Sequence, residues 1–393
     1  MKVLTNGIHI ILWIFLLSFL SPANAQGIEF FKGSFDEALV ESKSQGKLIF
    51  VDAYAEWCGP CKWMSNTVFK EEAVGAFYNK HFINMKIDME KGEGPALARK
   101  YGVRAYPTFF FLDENGEVVA EAMGGRRTAQ FLELGENALK KNDKSGEYAR
   151  LYEEGNRSPD LLRKYAYALL SARKEHLKIA NEYLETQEDL GSEVNLKAIF
   201  DFTTEADSRI FDLLIEHQVA IKAIKSEKEF FEKVEEACFS TVEKAATYKF
   251  ENLLVEAKSK MKANYPDEAV VFNLKADMIY ALGLSDESLY LKSAKKFLGK
   301  HVSDNAAEYH NKAQSILTTF SEHKKAMKMA EKWSEKAATM SGLSRYYLTY
   351  AKVLHANEKS ESAFRIAKRA RELALIENES TSDIDAFLRV VKP

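Results

Sequence analysis

The chain has only three cysteines and seven prolines in 393 residues. So few cysteines, in odd number, exclude a fold held together by a dense disulfide framework. A net charge of −3 lacks the basic excess of a nucleic-acid binder, so nucleic acid is not an expected partner. No apolar stretch after Leu20 approaches the roughly 20 residues of a membrane span. What remains is the composition of a globular protein, 46% hydrophobic and 29% charged. The length exceeds what one ordinary core organises, so two or more domains are expected.

The N-terminus reads as a targeting segment. Met1-Lys2 gives a positive start, and Ile8 to Leu20 is apolar apart from His9 and Ser18. Ser21-Pro22 stops the run, and Ala23-Asn24-Ala25 places small residues where a signal peptidase cuts. Residues 1–25 are therefore expected to be a secretory signal, giving a protein exported to the periplasm or secreted. A membrane anchor would need a longer run, and no cysteine near the cut offers a site for lipid.

Residues 26–142 alternate between strand and helix patterns. Phe35 to Ser44 is helical, and Lys47 to Tyr54 is a buried central strand with one acid, Asp52. Cys61 to Tyr78 has helical spacing through Met64, Val68 and Phe77. Phe82 to Asp88 reads as a strand, Gly94 to Tyr101 as a helix and Thr108 to Leu112 as a strand. Asp113 to Gly116 is a hairpin turn into a strand over Glu117 to Ala122, and Thr128 to Lys141 closes the unit as a helix. This order predicts an α/β mixed sheet with helices on both faces.

Residues 143–393 carry almost no strand signal, and the polar stretch Lys141 to Gly146 reads as a linker. Helical periods break at Asn156–Pro159, Gly191-Ser192, Tyr265-Pro266, Gly283–Asp286 and Ser341-Gly342. Two segments align at an offset of 37: Leu317, Ala326 and Ala330 with Leu354, Ala363 and Ala367. The period and the small residues resemble tetratricopeptide-type helical hairpins, so an all-α helical-repeat domain is expected. The motif is degenerate, and its terminal proline is missing.

The chemistry sits in Trp57-Cys58-Gly59-Pro60-Cys61-Lys62. At a strand-to-helix turn, unpaired N–H groups and the helix dipole favour a thiolate on Cys58, and the thiolate is the attacking form. Two intervening residues put Cys61 one helical turn on, within reach of Cys58. Pro60 near a helix start forfeits no needed donor. A C-x-x-C is also half a zinc site, but that needs a second ligand pair, and His81 is the one histidine of the first domain. No metal and no cofactor is expected. Cys238, on the apolar side of a helix, reads as an inert buried thiol.

Val51-Asp52-Ala53-Tyr54-Ala55-Glu56-Trp57-Cys58-Gly59-Pro60-Cys61-Lys62 resembles the active-site signature of the thioredoxin family, and the resemblance runs over about residues 28 to 141. It implies a redox-active disulfide between Cys58 and Cys61, with Cys58 attacking and Cys61 resolving. It also implies that Asp52 is the buried acid shuttling the resolving thiol's proton. Tyr106-Pro107-Thr108 matches the family's cis-proline loop, and Gly124-Gly125 its substrate-groove loop. Burial among Leu48, Ile49, Phe50 and Val51 should raise the pKa of Asp52. Two positions depart from the family: Tyr54 replaces a tryptophan, and Asn84 replaces the lysine near the acid, with Lys86 two residues on.

The resemblance implies dithiol–disulfide exchange on protein substrates. The Gly-Pro pair between the cysteines points to a reductase, recharged by a membrane electron conveyor. Oxidase or isomerase activity is the alternative direction, since Tyr106 before the proline also occurs in protein disulfide isomerases. A non-catalytic helical-repeat binding protein on a thioredoxin scaffold is the other class. Stacked helices commonly build concave binding surfaces, so the helical domain is expected to recruit a protein.

Overall fold

The computed structural model describes residues 27–377 and 379–391. The signal segment expected at 1–25 lies outside the described residues. Among these, no helix is long and apolar enough to cross a membrane. Two compact units result: the described chain up to Thr203 with Ser208–Phe230, and Thr204–Asp207 with the chain from Phe231 on.

The first unit is built on four strands, β1 (Leu48–Tyr54), β2 (Phe82–Asp88), β3 (Thr108–Leu112) and β4 (Val118–Met123), in the order β2-β1-β3-β4. β1 runs parallel to β2 and antiparallel to β3, and β4 is antiparallel to β3. The β3–β4 turn closes at Gly116, whose φ of 76° disfavours a side chain, while Asp113 Oδ1 accepts the amides of Asn115 and Glu117. Along β1, side chains alternate between two cores. Leu48 and Phe50 join Met64, Tyr78, Phe109 and Phe131 on one face. Ile49, Val51 and Ala53 join Phe35, Ile83, Leu97 and Phe110 on the other.

Five helices cover the two faces: α1 (Phe35–Gln45), α2 (Gly59–Asn66), α3 (Glu72–His81), α4 (Gly94–Tyr101) and α5 (Thr128–Lys141). The first core takes in residues of α2, α3 and α5, and the second those of α1 and α4. Phe50 anchors the first core, 4.9 Å from the Tyr78 ring, which stacks on Phe131 at 4.4 Å. The helical spacing from Cys61 to Tyr78 predicts one helix, but the structure has two. The Thr67 amide and hydroxyl both donate to the Trp63 carbonyl, ending α2. The Phe69 carbonyl is then taken by the Ile28 amide at 2.7 Å, so it has left the helical ladder.

Helices Ser145–Glu153, Pro159–Ser171, Leu177–Glu185, Glu193–Phe202, Arg209–Glu216 and Gln218–Ile224 belong to the same unit as the sheet. The Arg163 guanidinium donates to the Ser44 carbonyl at 2.8 Å, and Lys197 pairs with Glu41 at 2.9 Å. Gly46 ends α1 with a φ of 61°, and a Cβ there would stand 2.8 Å from Cβ of Tyr167. The composition change near residue 143 thus falls just after α5, while the compact unit continues.

In the second unit, Ala306–Thr319 pairs with Lys324–Ser341, and Ser344–Ala356 with Ser360–Ile376. Ala326, Ala330, Ala363 and Ala367 are fully buried, letting the paired helices approach closely. The two segments aligned in the sequence are these successive helix pairs. Trp333 and Tyr290 lie in the core of this unit.

The contacts of α1 yield a stability prediction. A chain ending at Lys144 is expected to keep the sheet but melt several degrees below one ending at Lys225, which retains Arg163, Tyr167 and Lys197. Thermal denaturation of the two fragments checks this. Equal midpoints would show that these helices contribute nothing to the sheet's stability.

Candidate active site

β1 ends at Tyr54, and the chain turns through Ala55, Glu56 and Trp57 before α2 begins at Gly59. Cys58 is the N-cap of α2, and its Sγ accepts the Cys61 amide at 3.1 Å. A cap side chain ordinarily satisfies such an amide with oxygen; here sulfur does so. Pro60 occupies the first turn, where its missing donor costs nothing. Cys58 and Cys61 form a disulfide, with Cα atoms 5.3 Å apart. Both cysteines are buried, while Trp57, Gly59, Pro60 and Lys62 are exposed around them.

Asp52 lies on the same face of β1 as Leu48 and Phe50, the face that α2 covers, because side chains two apart share a side. It is fully buried, and neither carboxylate oxygen has a hydrogen-bond partner among the described residues. Burial raises its pKa from the ordinary 3.8 to about 7, and the nearby Lys86 charge offsets part of that rise. Lys86 is paired with Asp52 in the β1–β2 register. Its ammonium donates to the Ser65 hydroxyl at 2.5 Å and lies 4.8 Å from the centre of the Tyr54 ring. Asn84 is otherwise engaged, its amide donating to the Glu29 carbonyl and to Asn79. The positive charge next to the acid therefore comes from Lys86.

The Tyr106–Pro107 peptide bond is cis. Pro107 is buried, its carbonyl accepts the Gly124 amide at 2.8 Å, and the Thr108 hydroxyl donates to the Ala105 carbonyl. Tyr54 and Tyr106 pack against Ala55, Cys58 and Cys61. The proline loop, the Gly124-Gly125 loop and the disulfide thus form one surface.

Three contributors, Glu90, Arg126 and Ser65, carry no motif in the sequence. Trp57 is 68% exposed, yet its indole donates to Glu90 at 3.0 Å and its ring meets Tyr106 edge-on at 5.8 Å. Glu90 lies 33 positions from Trp57, a separation that local pattern does not bridge. Arg126 donates to the carbonyls of Gly124 and Gly125, and its amide approaches Met64 Sδ at 3.3 Å. Ser65, which anchors Lys86, is the third.

No three described His, Cys, Asp or Glu side chains form a metal-ligand group. Cys238 is fully buried, and burial pushes its thiol up to about 12, which keeps it in the unreactive form.

A disulfide capping a helix, above a buried acid whose pKa lies near neutrality, can cycle between dithiol and disulfide. That defines the class, a thiol–disulfide oxidoreductase of thioredoxin-like fold. Comparison with known proteins is specific. Residues 35–139 match the family model of the thioredoxin-like domain. Thioredoxin-1 of Drosophila melanogaster is 40% identical over 93 residues, covering 24% of this chain and 73% of that protein. A thioredoxin H-type of Oryza sativa subsp. indica is 34% identical over 99 residues, with the same two coverages. A solution structure of a putative disulphide-isomerase from Bacteroides thetaiotaomicron is 46% identical, covering 30% of this chain and 98% of that one, at a TM-score of 0.28. The chain belongs to the thioredoxin family. The family model ends at residue 139, and these three matches cover 24–30% of this chain.

The raised Asp52 pKa gives a signed prediction. An acid with a higher pKa folded than unfolded lowers stability as pH rises between the two values. The rise from 3.8 to about 7 corresponds to roughly 4 kcal/mol at most. Asp52→Asn is therefore expected to be more stable than the parent above pH ~7, by about 2–4 kcal/mol. The advantage should shrink to nothing as pH falls to about 4. Denaturant unfolding across that range checks it; a pH-independent difference would mean that Asp52 titrates normally.

Proposed function

We propose that the protein is an exported thiol–disulfide reductase acting on protein substrates, with Cys58 as the attacking sulfur. The Cys61 amide aimed at Cys58 Sγ is the observation that carries this reading, because it selects which sulfur holds negative charge. In the dithiol form the Cys58 thiolate attacks one sulfur of a substrate disulfide. A mixed disulfide forms, and the other substrate sulfur leaves as a thiolate. The Cys61 thiol then gives its proton to the Asp52 carboxylate and attacks Cys58 Sγ. The substrate's second thiol is released, and the Cys58–Cys61 disulfide remains.

A pKa near 7 suits Asp52 to this transfer at neutral pH, since it is substantially ionised and still basic enough to take a proton. Trp57, Tyr106 and the Pro107 and Gly124-Gly125 loops supply the surface for an incoming peptide. In the family that surface holds it extended beside the sulfurs. The reducing direction follows the Gly59-Pro60 pair, which is like that of reducing thioredoxins. Such a cycle requires two electrons per turn, which in an oxidising compartment come from a membrane electron conveyor. The helices after residue 143 bring a protein to the site, raising its effective concentration at Cys58.

Cys61→Ser should leave an attacking sulfur with nothing to resolve it, so substrates stay covalently bound. Mixing this variant with oxidised exported proteins should give adducts on non-reducing gels that dithiothreitol releases. Adducts formed by Cys58→Ser instead would reverse the roles of the two sulfurs.

A further inference from the structure

Several lysines in the helical region find acids one turn away. Lys260 pairs with Glu256 and Lys312 with Glu308, as Lys164 does with Asp160 and Lys197 with Glu193. One place in the second unit departs from this. Lys295, on the helix Glu287–Lys300, and Lys324, Lys325, Lys328 and Lys332, on Lys324–Ser341, line a single concavity with Met329. All five lysines are exposed, and none makes an ion pair with a described residue. Glu287 and Glu331, on the same two helices, are held instead by His323 at 3.3 Å and Lys359 at 2.6 Å.

The arrangement is unfavourable on its own terms. Lys324, Lys328 and Lys332 succeed one another at i, i+4 and i+8, and like charges at that spacing destabilise a helix. Lys324 and Lys325 fill a first turn that has no acid, the reverse of what the helix dipole favours. The chain as a whole is slightly acidic at −3, so the patch is not a local sample of general basicity. An anionic partner would relieve all of these repulsions together.

We infer that this lysine face docks an acidic segment of a polypeptide. The inference rests on the reading that the helical region recruits a protein, and names the chemistry by which it does so. Lysines four residues apart stand about 6 Å apart along the helix axis, close to the ~6.8 Å between alternate side chains of an extended chain. A row of carboxylates therefore meets a row of ammonium groups. A discrete phosphate fits less well, since the concavity has no arginine fork and no buried charged donor. A membrane surface fits less well too: the large exposed hydrophobic side chains all lie outside the concavity, and Met329 is half-buried.

The test uses the full chain, a fluorescein-labelled peptide of alternating Glu and Gly, and fluorescence anisotropy. Two variants have equal net charge: K324Q/K325Q/K328Q on the patch, and K70Q/K140Q/K141Q on exposed lysines elsewhere. The patch variant should lose about tenfold or more in affinity, while the control binds like the parent and both reduce a small disulfide normally. The parent's binding should also weaken steeply with salt. Equal affinity of the two variants overturns the inference. So does displacement by inorganic phosphate at constant ionic strength, or binding to phosphatidylglycerol vesicles without binding to the peptide. Appending the peptide to a disulfide substrate separates the two readings. If the peptide binds through the lysines but the tagged substrate is reduced no faster, the docking face stands and recruitment fails.

Discussion

A backbone amide pointing at a sulfur, Cys61 N–H to Cys58 Sγ at 3.1 Å, is the contact on which the site's asymmetry depends. The two cysteines are otherwise alike, both buried and bonded to each other. What distinguishes them is position: Cys58 caps the helix and Cys61 lies inside its first turn. The cap faces the unsatisfied N–H groups of α2 and so favours negative charge. β1 delivers the chain to that point as a strand buried from Leu48 to Ala53, and Pro60 starts the helix without losing a needed hydrogen bond.

The same strand brings the acid. The alternation that sends Phe50 into the aromatic core sends Asp52 to the same face, under the helix that holds the sulfurs. A carboxylate there, without hydrogen bonds, is costly to ionise. Lys86 offsets part of the cost from the adjacent strand, held by Ser65 and the Tyr54 ring. The result is a group kept near neutral pKa by burial acting against a positive charge. An acid buried in this way lowers stability, and perturbed groups of this kind cluster at functional sites.

Most of the strand-bearing part was legible in the sequence. β2, β3, α4 and α5 fall where apolar runs and Asn-Gly punctuation put them, because those signals are local. The single helix expected from Cys61 to Tyr78 was an error of long-range origin: the Phe69 carbonyl bonds to Ile28, about forty residues earlier, which no helical period reveals. Several helix breaks after residue 143 likewise carry no local sequence signal. Arg173, Lys249 and Glu358 each take a positive φ without being glycine, so the chain turns where the sequence carries no punctuation. In the site, Cys58, Cys61, Asp52 and Pro107 were visible through spacing and family resemblance. Glu90 and Ser65 were not, because their contacts with Trp57 and Lys86 come only from folding.

The central claim, that the Cys58–Cys61 pair works as a reductant, is tested most directly by its reduction potential. Equilibrating the full chain with glutathione or dithiothreitol buffers and counting free thiols gives that value. The account predicts a potential near the thioredoxin figure of about −270 mV. A value more than about 100 mV higher, toward that of strong protein oxidants, would contradict it and assign the pair to disulfide formation or isomerisation.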